Sequence, residues 1–411
     1  MSEGRKGGGR GGKLAEVSSF VLVAVAVWLG WQGIREMASD RLPPSLALRI
    51  SPTSPRVLAR AAEAELVAKR FDNAEYLARE SLIRAPFNVP AMRVLGLVEA
   101  EQGEPGRADQ ILTLAGNWSL RDGPTHAWLV EHRLSQGNYG SSFAHADTLA
   151  RRRADLHPQV FQLFTTAAKL DPRAIPVIAE LLAANPPWRS AFLTSLLGTD
   201  DGLVLSVNLA LVLQAQGDGA FTKRELTNLY TYLMRKGRLE AMAEVRRRLQ
   251  RPASDLAPVN GEFQSPSSVL PYEWKLMTGP GVVAEILNDD LRPDETALRV
   301  QYDGARVAVF AEQLLQLAPG AHRFSGQRRM EMDDTDAELS WTVSCVESGG
   351  QLADTRRLPK AAGHGWQTFS SDFVVPSSDC QAQWMRLTGR PGDRRGTTLA
   401  WFDKIELRPL P

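Results

Sequence analysis

Residues 251–263 read RPASDLAPVNGEF, and the hydrophobic pattern of the chain changes at this stretch. Before it, apolar residues recur at three- and four-residue spacing, which is the period of one helix face. After it, they alternate in short runs such as ALRVQYDG and TLAWFDKIEL, as is typical of antiparallel strands with one buried face. The sequence therefore predicts a multidomain chain, α then β, with helices over 55–251 and strands over 252–411.

Composition limits the function only broadly. A chain of 411 residues is long enough for two domains and a short extra segment. The 48 basic and 47 acidic residues give a formal charge of +1, which does not call for a nucleic-acid partner or an acidic substrate. Two cysteines are too few for a disulfide scaffold and lack the paired spacing of a zinc site.

The N-terminal region has the pattern of a membrane anchor. Residues 1–16 combine basic side chains with many glycines and predict a disordered tail. Residues 17–34, VSSFVLVAVAVWLGWQGI, carry no charge. At helical rise such a segment spans about 27 Å, close to the thickness of about 30 Å of a hydrocarbon core. We therefore predict a transmembrane helix over 17–34, followed by a linker over 35–54.

The charge pattern around this segment also predicts its orientation. Because the basic cluster precedes the apolar run, the tail is expected to stay in the cytoplasm. The rest of the chain is then periplasmic, in a bacterial protein with a single pass through the inner membrane. A cleaved signal peptide is the alternative, and it leaves the bulk of the chain on the same side.

Internal repeats occupy the first part of the helical region. In VPAMRVLGLVEAEQGEPGRADQILTLA, residues 89–115, Gly96 packs the first helix, Gly103 ends it, and Ala108 and Leu112 lie on one face of a second helix. This stretch resembles a tetratricopeptide (TPR) repeat. The preceding unit repeats the plan with Ala74 at the small position, and a following unit places Ser142 there.

Helical periodicity continues beyond Leu156 without a clean repeat, broken at DPRAIP and NPPWR. We predict about twelve helices over 55–251, stacked in pairs as a TPR-like α-solenoid. The resemblance implies a concave surface that binds a protein partner. A helical spacer that holds the next domain away from the membrane is the alternative.

The strand region shows a second resemblance. NGEF at 260–263, Trp274, LAPGAHRFSG at 317–326 and the closing WFDKIEL follow one another in an order that resembles the carbohydrate-binding jelly-roll modules of the galactose-binding-like superfold. The resemblance covers Pro258 to Pro411 and implies an antiparallel β-sandwich that contacts polysaccharide.

Sugar binding needs aromatic faces that stack on pyranose rings. Trp274 and Trp366 flank loops and are the preferred candidates, and Tyr302 is a further one. Strand alternation places Trp341 on the same face as Val343 and Cys345, which we expect to be the core. In the run AQWMRLTG, alternation alone leaves open whether Trp384 with Arg386, or Met385 with Leu387, faces the core.

The jelly-roll resemblance also implies a structural calcium ion between the first and last strands. Asp403 takes the place of the ligand on the closing strand. Gln264 stands where the family has an acid after NGxF, and the acid Glu262 lies inside the motif instead, so calcium is expected only as a possible cofactor with Glu262 and Asp403 as ligands. Without it, NGEF is a turn that sends Phe263 into the core.

Cys345 and Cys380 lie in neighbouring segments of the strand region. In an oxidising compartment, two cysteines of one fold are expected to form a disulfide bond, which stabilises a fold by roughly 3–4 kcal/mol in the chain-entropy model. The alternative is that both are free thiols that fill space in the core.

No motif for catalysis stands out in the chain. The six histidines lack the spacing of HExxH, and neither a GxSxG elbow nor a CxxC pair is present. We therefore expect a non-catalytic scaffold that binds a protein through its helices and a polysaccharide through its jelly roll, in exopolysaccharide assembly or export. The alternatives are a protein-interaction adaptor whose sugar site has degenerated and a glycan-active enzyme.

Overall fold

The computed structural model describes residues 42–217, 219–249, 257–265, 269–333, 336–357, 365–394 and 396–411. Within these ranges, no helix combines the length and the apolar character needed to cross a bilayer. The predicted tail 1–16 and the predicted spanning segment 17–34 lie outside the described residues. The chain divides into two compact units, residues 1–160 and 161–411.

The first unit is helical. A short helix, α1 (Pro44–Ile50), forms inside the predicted linker, with Ala47 buried. Three helix pairs follow: α2 (Pro55–Val67) with α3 (Phe71–Arg84), α4 (Val89–Glu101) with α5 (Pro105–Trp118), and α6 (Gly123–Ser135) with α7 (Tyr139–Arg152).

These pairs repeat with the period of 34 residues that characterises TPR proteins. The pairs begin at 55, 89 and 123, and the turn inside each pair has a positive φ at the same interval: 58° at Lys69, 86° at Gly103 and 69° at Gly137. The third pair keeps the plan although its small residue is polar, because Ser142 donates a hydrogen bond of 2.9 Å to the carbonyl of Val130.

Gly96 sets the approach of α4 to α5. A Cβ atom built at this position would lie 2.6 Å from Cγ of Leu112, which is fully buried. Any side chain here therefore requires that Leu112 shift or that the two helices move apart. Gly106, in the first turn of α5, has nothing within 4 Å of the corresponding point.

We predict that Gly96→Ala lowers the free energy of unfolding by about 1–3 kcal/mol, as overpacking of a tight core does. Gly106→Ala is the matched control and should leave stability unchanged or slightly raised, because alanine is the better helix former. Urea unfolding followed by circular dichroism measures both. Equal stability of the two variants would contradict this packing.

Two histidine side chains meet inside the third pair. Nδ1 of His126 lies 3.0 Å from Nδ1 of His145, and Nε2 of His126 lies 3.3 Å from the carbonyl oxygen of Ser119. Because a carbonyl only accepts, Nε2 carries the proton of a neutral His126, and His145 donates to Nδ1. Burial, with the neighbouring His126 and Arg133, lowers the pKa of His145 to about 4, and burial also lowers the pKa of His126.

This pair predicts a loss of stability in acid. Both rings are neutral in the fold and gain protons more readily when unfolded, so stability declines as pH falls from about 6.5 toward about 4. Between about pH 7 and 5, His145 should contribute a loss of about 1–2 kcal/mol in the free energy of unfolding. The His145→Gln variant should lack this part of the pH dependence. An identical pH profile for variant and wild type would exclude it.

The second unit begins within α8 (His157–Leu170) and continues with five more helices: α9 (Ala174–Ala183), α10 (Arg189–Leu196), α11 (Asp200–Gln216), α12 (Lys223–Arg235) and α13 (Leu239–Leu249). The described residues from Pro55 to Leu249 thus hold twelve α-helices, the number predicted. Their lengths now vary from 8 to 17 residues, which explains why the sequence shows no clean repeat here.

The strands form two antiparallel sheets. The strands are β1 (Lys275–Leu276), β2 (Thr278–Gly279), β3 (Val282–Asp289), β4 (Arg292–Tyr302), β5 (Ala308–Leu315), β6 (Gly320–Asp333), β7 (Glu338–Cys345), β8 (Gln351–Asp354), β9 (Gln367–Val375), β10 (Gln383–Arg390) and β11 (Thr398–Pro409). One sheet has the order β1-β5-β10-β7-β8 and the other β2-β3-β4-β11-β6-β9.

A shared core lies between the two sheets. It contains large buried side chains from both, among them Phe310, Trp341, Met385, Phe324 and Phe402. The sequence-based expectation of helices followed by an antiparallel sandwich is confirmed. So is the disulfide bond, which joins Cys345 at the end of β7 to Cys380 before β10.

Helices of the second unit share an apolar cluster with the β-sandwich. Leu229 and Met242 of the helices pack in one cluster with Tyr272, Leu314 and Ala382 of the strand region. Polar contacts accompany this packing, since Nε2 of Gln316 donates to the carbonyl of Leu239 at 3.2 Å. The helices α11–α13 and the sandwich are therefore one continuous structure.

Candidate functional site

Two of the three predicted sugar platforms are buried in the core. Trp274 has 1% of its surface exposed and packs between Phe263 and Trp341, with ring centroids 5.4 Å apart in both contacts. Tyr302 is fully buried, and its hydroxyl donates to the carbonyl of Arg306 at 2.6 Å. Neither ring has a free face, so the prediction that they stack on a sugar is wrong. Both side chains point between the sheets.

Trp366 lies apart from these two. It is partly exposed, its Nε1 donates to Oδ2 of Asp289 at 2.8 Å, and the guanidinium of Arg292 lies 4.1 Å from its ring centroid. A cation–π contact of this kind occupies the ring face that a sugar would need. Trp366 thus anchors the β3–β4 hairpin and is the only one of the three candidates with exposed surface.

Arg292 also occupies the surroundings of Asp403. Its Nη2 lies 2.9 Å from Oδ2 of Asp403, and its other nitrogens pair with Asp289 and Glu295 at 2.8 Å. Burial raises the pKa of Asp403, although the backbone N–H of Lys404 and Arg292 act in the opposite direction. The cation that pairs with the Asp403 carboxyl group is therefore the guanidinium of Arg292.

These residues do not fit the calcium ion implied by the jelly-roll resemblance. Glu262 is exposed, and the neighbouring Gln264 donates to the backbone carbonyls of Glu262 and Thr296 at 2.9 and 3.3 Å. In the described part of the chain, no three His, Cys, Asp or Glu side chains gather closely enough to hold a metal ion. Calcium needs six or more oxygen ligands.

We predict that Arg292→Met lowers the free energy of unfolding by about 3–5 kcal/mol, because it removes the ion pair of the buried Asp403 carboxylate and leaves Arg329 as the remaining partner of Asp289. Adding Asp403→Asn should restore part of the loss. Thermal unfolding measures both variants, and neither calcium nor a chelator should shift the Tm of the wild type. A Tm of the wild type that rises with calcium would show that a metal does bind here.

A continuous polar row crosses the outer face of the five-stranded sheet. In β10, Met385 and Leu387 face the core, so Trp384 and Arg386 face outward, which settles the alternative that alternation left open. The pairing of the strands aligns one residue from each: Lys275, Glu312, Arg386, Thr342 and Asp354.

Ion pairs hold this row in place. Oε1 of Glu312 accepts from Nζ of Lys275 at 2.9 Å, and its Oε2 accepts from Nε of Arg386 at 3.1 Å. The Arg386 guanidinium also lies 4.8 Å from the ring centroid of Trp384, which is partly exposed. The hydroxyl of Thr342 donates to the backbone carbonyl of Arg386 at 3.4 Å. The row therefore presents fixed donors and acceptors beside an aromatic edge.

Both carboxyl groups of the row are ionised at neutral pH. Burial acts to raise the pKa of Glu312, but hydrogen bonds from Lys275 and Arg386 outweigh it and lower the pKa. Burial acts in the same direction on Asp354, and hydrogen bonds from Arg356 and Gln351 lower its pKa to about 2. Neither group is poised to give up a proton at neutral pH, so the row is suited to binding through hydrogen bonds.

The sequence contained only part of this site. Alternation in β10 left Arg386 as one of two outward candidates, while Lys275 and Glu312 gave no signal of their own. They join Arg386 only through the pairing of β5 with β1 and β10, across a sequence separation of 74 residues for Glu312 and Arg386. The register of non-local strands is not visible in one sequence.

No family model and no curated protein matches this chain. Among solved structures, a CBM4 structure covers 38% of this chain and 100% of its own, at 14% identity and a TM-score of 0.29. The match to the CBM22-1 xylan-binding domain of Paenibacillus barcinonensis Xyn10C covers 33% of this chain and 84% of that one, at 14% identity and a TM-score of 0.25. The match to PilF of Pseudomonas aeruginosa covers 56% of this chain and 89% of that one, at 16% identity and a TM-score of 0.25. Likenesses at this level carry no argument about activity.

Proposed function

We propose that this chain is a non-catalytic scaffold, anchored in the bacterial inner membrane, whose periplasmic jelly roll contacts a polysaccharide and whose helical array holds a protein partner. The polar row Lys275–Glu312–Arg386 is the observation that carries the proposal. Carbohydrate sites combine fixed hydrogen-bonding groups with an aromatic surface. The row supplies the first, and the part of Trp384 that Arg386 and the helices α11–α13 leave exposed supplies the second. Exopolysaccharide assembly or export is the process that such a combination fits.

Exposed apolar side chains on the first unit support the protein partner. Ile83 is 74% exposed, Phe87 63%, Trp118 53% and Leu120 62%. The rings of Phe87 and Trp118 contact each other, with centroids 4.2 Å apart. Exposed apolar groups that adjoin one another mark interaction surfaces more often than scattered ones do.

The state of the carboxyl groups supports binding without catalysis. A glycosidase requires a carboxylic acid with a raised pKa beside a second carboxylate. On the polar row, the pKa values of Glu312 and Asp354 are both lowered. Asp403 has a raised pKa but is fully buried. The membrane anchor and the periplasmic location depend on residues 17–34 of the sequence.

A protein-interaction adaptor is the second candidate. It is favoured by the apolar cluster in which Leu314 and Trp384 of the outer face pack with the helices α11–α13. This packing occupies one end of the face, so less of it is open to a polymer. A remaining face of this kind could dock a protein instead.

We predict that Arg386→Ala weakens polysaccharide binding by about tenfold or more, because it removes a charge-assisted donor and releases Glu312. The matched control is Arg323→Ala, which breaks an exposed ion pair with Asp372 on the other sheet. The full chain in lipid nanodiscs is titrated against a panel of bacterial polysaccharides by calorimetry. The fragment 252–411 is unsuitable, because Tyr272 and Leu314 would lose their helical cover.

The outcomes separate the hypotheses. Binding that depends on Arg386 and releases no product supports the scaffold. The absence of binding to every polymer favours the adaptor, and release of oligosaccharide indicates an enzyme. An equal loss of affinity in Arg386→Ala and Arg323→Ala would show that the polysaccharide does not bind at the polar row.

A further inference from the structure

A cleft of about 320 Å³ opens between helix α13 and two loops of the jelly roll. This volume is at the lower end of the range of about 300–1,000 Å³ that small-molecule sites occupy. The cleft belongs entirely to the second unit. Its wall on the helix side includes Glu240, and its loop walls comprise residues 316, 317, 319 and 376–381. It is separate from the polar row, since none of the residues of that row lines it.

Covalent and hydrogen bonds fix the longer loop of the cleft. Cys380 is bonded to Cys345, and the backbone N–H of Gln381 donates to Oε1 of Glu347 at 2.7 Å. Across the cleft, Nε2 of Gln381 lies 3.4 Å from Oε1 of Glu240. The wall is therefore held in one position before any ligand arrives, which lowers the entropic cost of binding.

Several polar groups of this wall have no partner. The hydroxyls of Ser377 and Ser378 and the carboxylate of Asp379 are exposed and, in the part of the chain that the structure describes, form no hydrogen bond or ion pair. Asp379 has a φ of 56°, a conformation in which aspartate is tolerated better than most residues. These groups face a cleft that also contains the apolar surfaces of Leu317 and Pro319.

The charge of the cleft is negative. Glu240 and Asp379 both line it, and among the described residues no lysine or arginine does. A ligand that satisfies this lining carries a positive charge for the carboxylates, hydroxyl groups for the two serines, and an apolar ring face for Leu317 and Pro319. A lysine side chain offers the charge but leaves the hydroxyls unused.

We propose that this cleft binds a sugar residue that bears a free, protonated amino group, as in a glycan of unacetylated hexosamines. The ammonium group pairs with the carboxylates of Asp379 and Glu240, and the ring hydroxyls bond to Ser377 and Ser378. The site is distinct from the polar row and does not depend on it. It gives the protein a means of distinguishing an amino-bearing glycan from its acetylated form.

The test uses the full chain in nanodiscs, titrated with a short glucosamine oligomer and with the N-acetylglucosamine oligomer of the same length. The glucosamine oligomer should bind at least about tenfold more tightly, and added salt should weaken its binding, because the contact is an ion pair near the surface. Asp379→Asn should reduce the preference for the glucosamine oligomer over the acetylated one by about tenfold. Glu240→Gln should also reduce this preference. Asp294→Asn, which removes an exposed carboxylate outside the cleft, is the matched control.

Either of the following results would overturn the proposal. Equal binding of the two oligomers, or a preference that Asp379→Asn leaves intact, shows that the cleft does not read the amino group. Binding of tetralysine that depends on Asp379, without binding of the glucosamine oligomer, assigns the cleft to basic peptides. Arg386→Ala distinguishes this failure from failure of the proposed function, because it acts on the polar row and should leave the preference for the amino sugar unchanged.

Discussion

The apolar contact between helices α11–α13 and the β-sandwich is the constraint on which both candidate sites depend. Tyr272, Leu314 and Ala382 lie in one buried cluster with Leu229 and Met242 of the helices. This packing fixes how much of the outer face of the five-stranded sheet is covered. It also places the start of α13 beside the loops that form the acidic cleft. Without it, the cleft would lack one wall.

A second constraint is the guanidinium of Arg292. It neutralises Asp289 and Asp403 and lies against the ring of Trp366. In the modules that the sequence resembles, a calcium ion joins the first and last strands. Here a covalently attached cation, the guanidinium of Arg292, joins the β3–β4 hairpin to the closing strand β11.

Much of the fold could be read from the sequence because its signals are local. The repeat interval, the change of period near residue 252 and the cysteine pair each depend on residues in fixed positions along the chain. The turn at Lys69 could not be recognised from the sequence, because a lysine adopts the positive φ there that Gly103 and Gly137 adopt in the next two repeats. Only the structure shows that a lysine is held in this conformation.

The candidate sites were less predictable, since they depend on register and on packing between distant segments. Trp274 and Tyr302 looked like platforms because they are large and lie near loops, yet both turn inward. Trp384 and Arg386 turn outward, a choice that only the pairing with β5 and β7 decides. The acidic cleft combines a helix and a loop that are 139 residues apart in sequence, as Glu240 and Asp379 show. No local pattern predicts such a combination.

The two sites differ in electrostatics, and this difference divides their roles. On the polar row, the charge of Glu312 is already satisfied by Lys275 and Arg386, so its carboxylate is engaged within the protein. In the cleft, the carboxylate of Asp379 is not engaged by protein within the described residues. Under the two proposals, affinity for a glycan chain comes from the row, and discrimination by charge comes from the cleft. A single unit would then recognise both the shape of a polymer and a chemical modification on it.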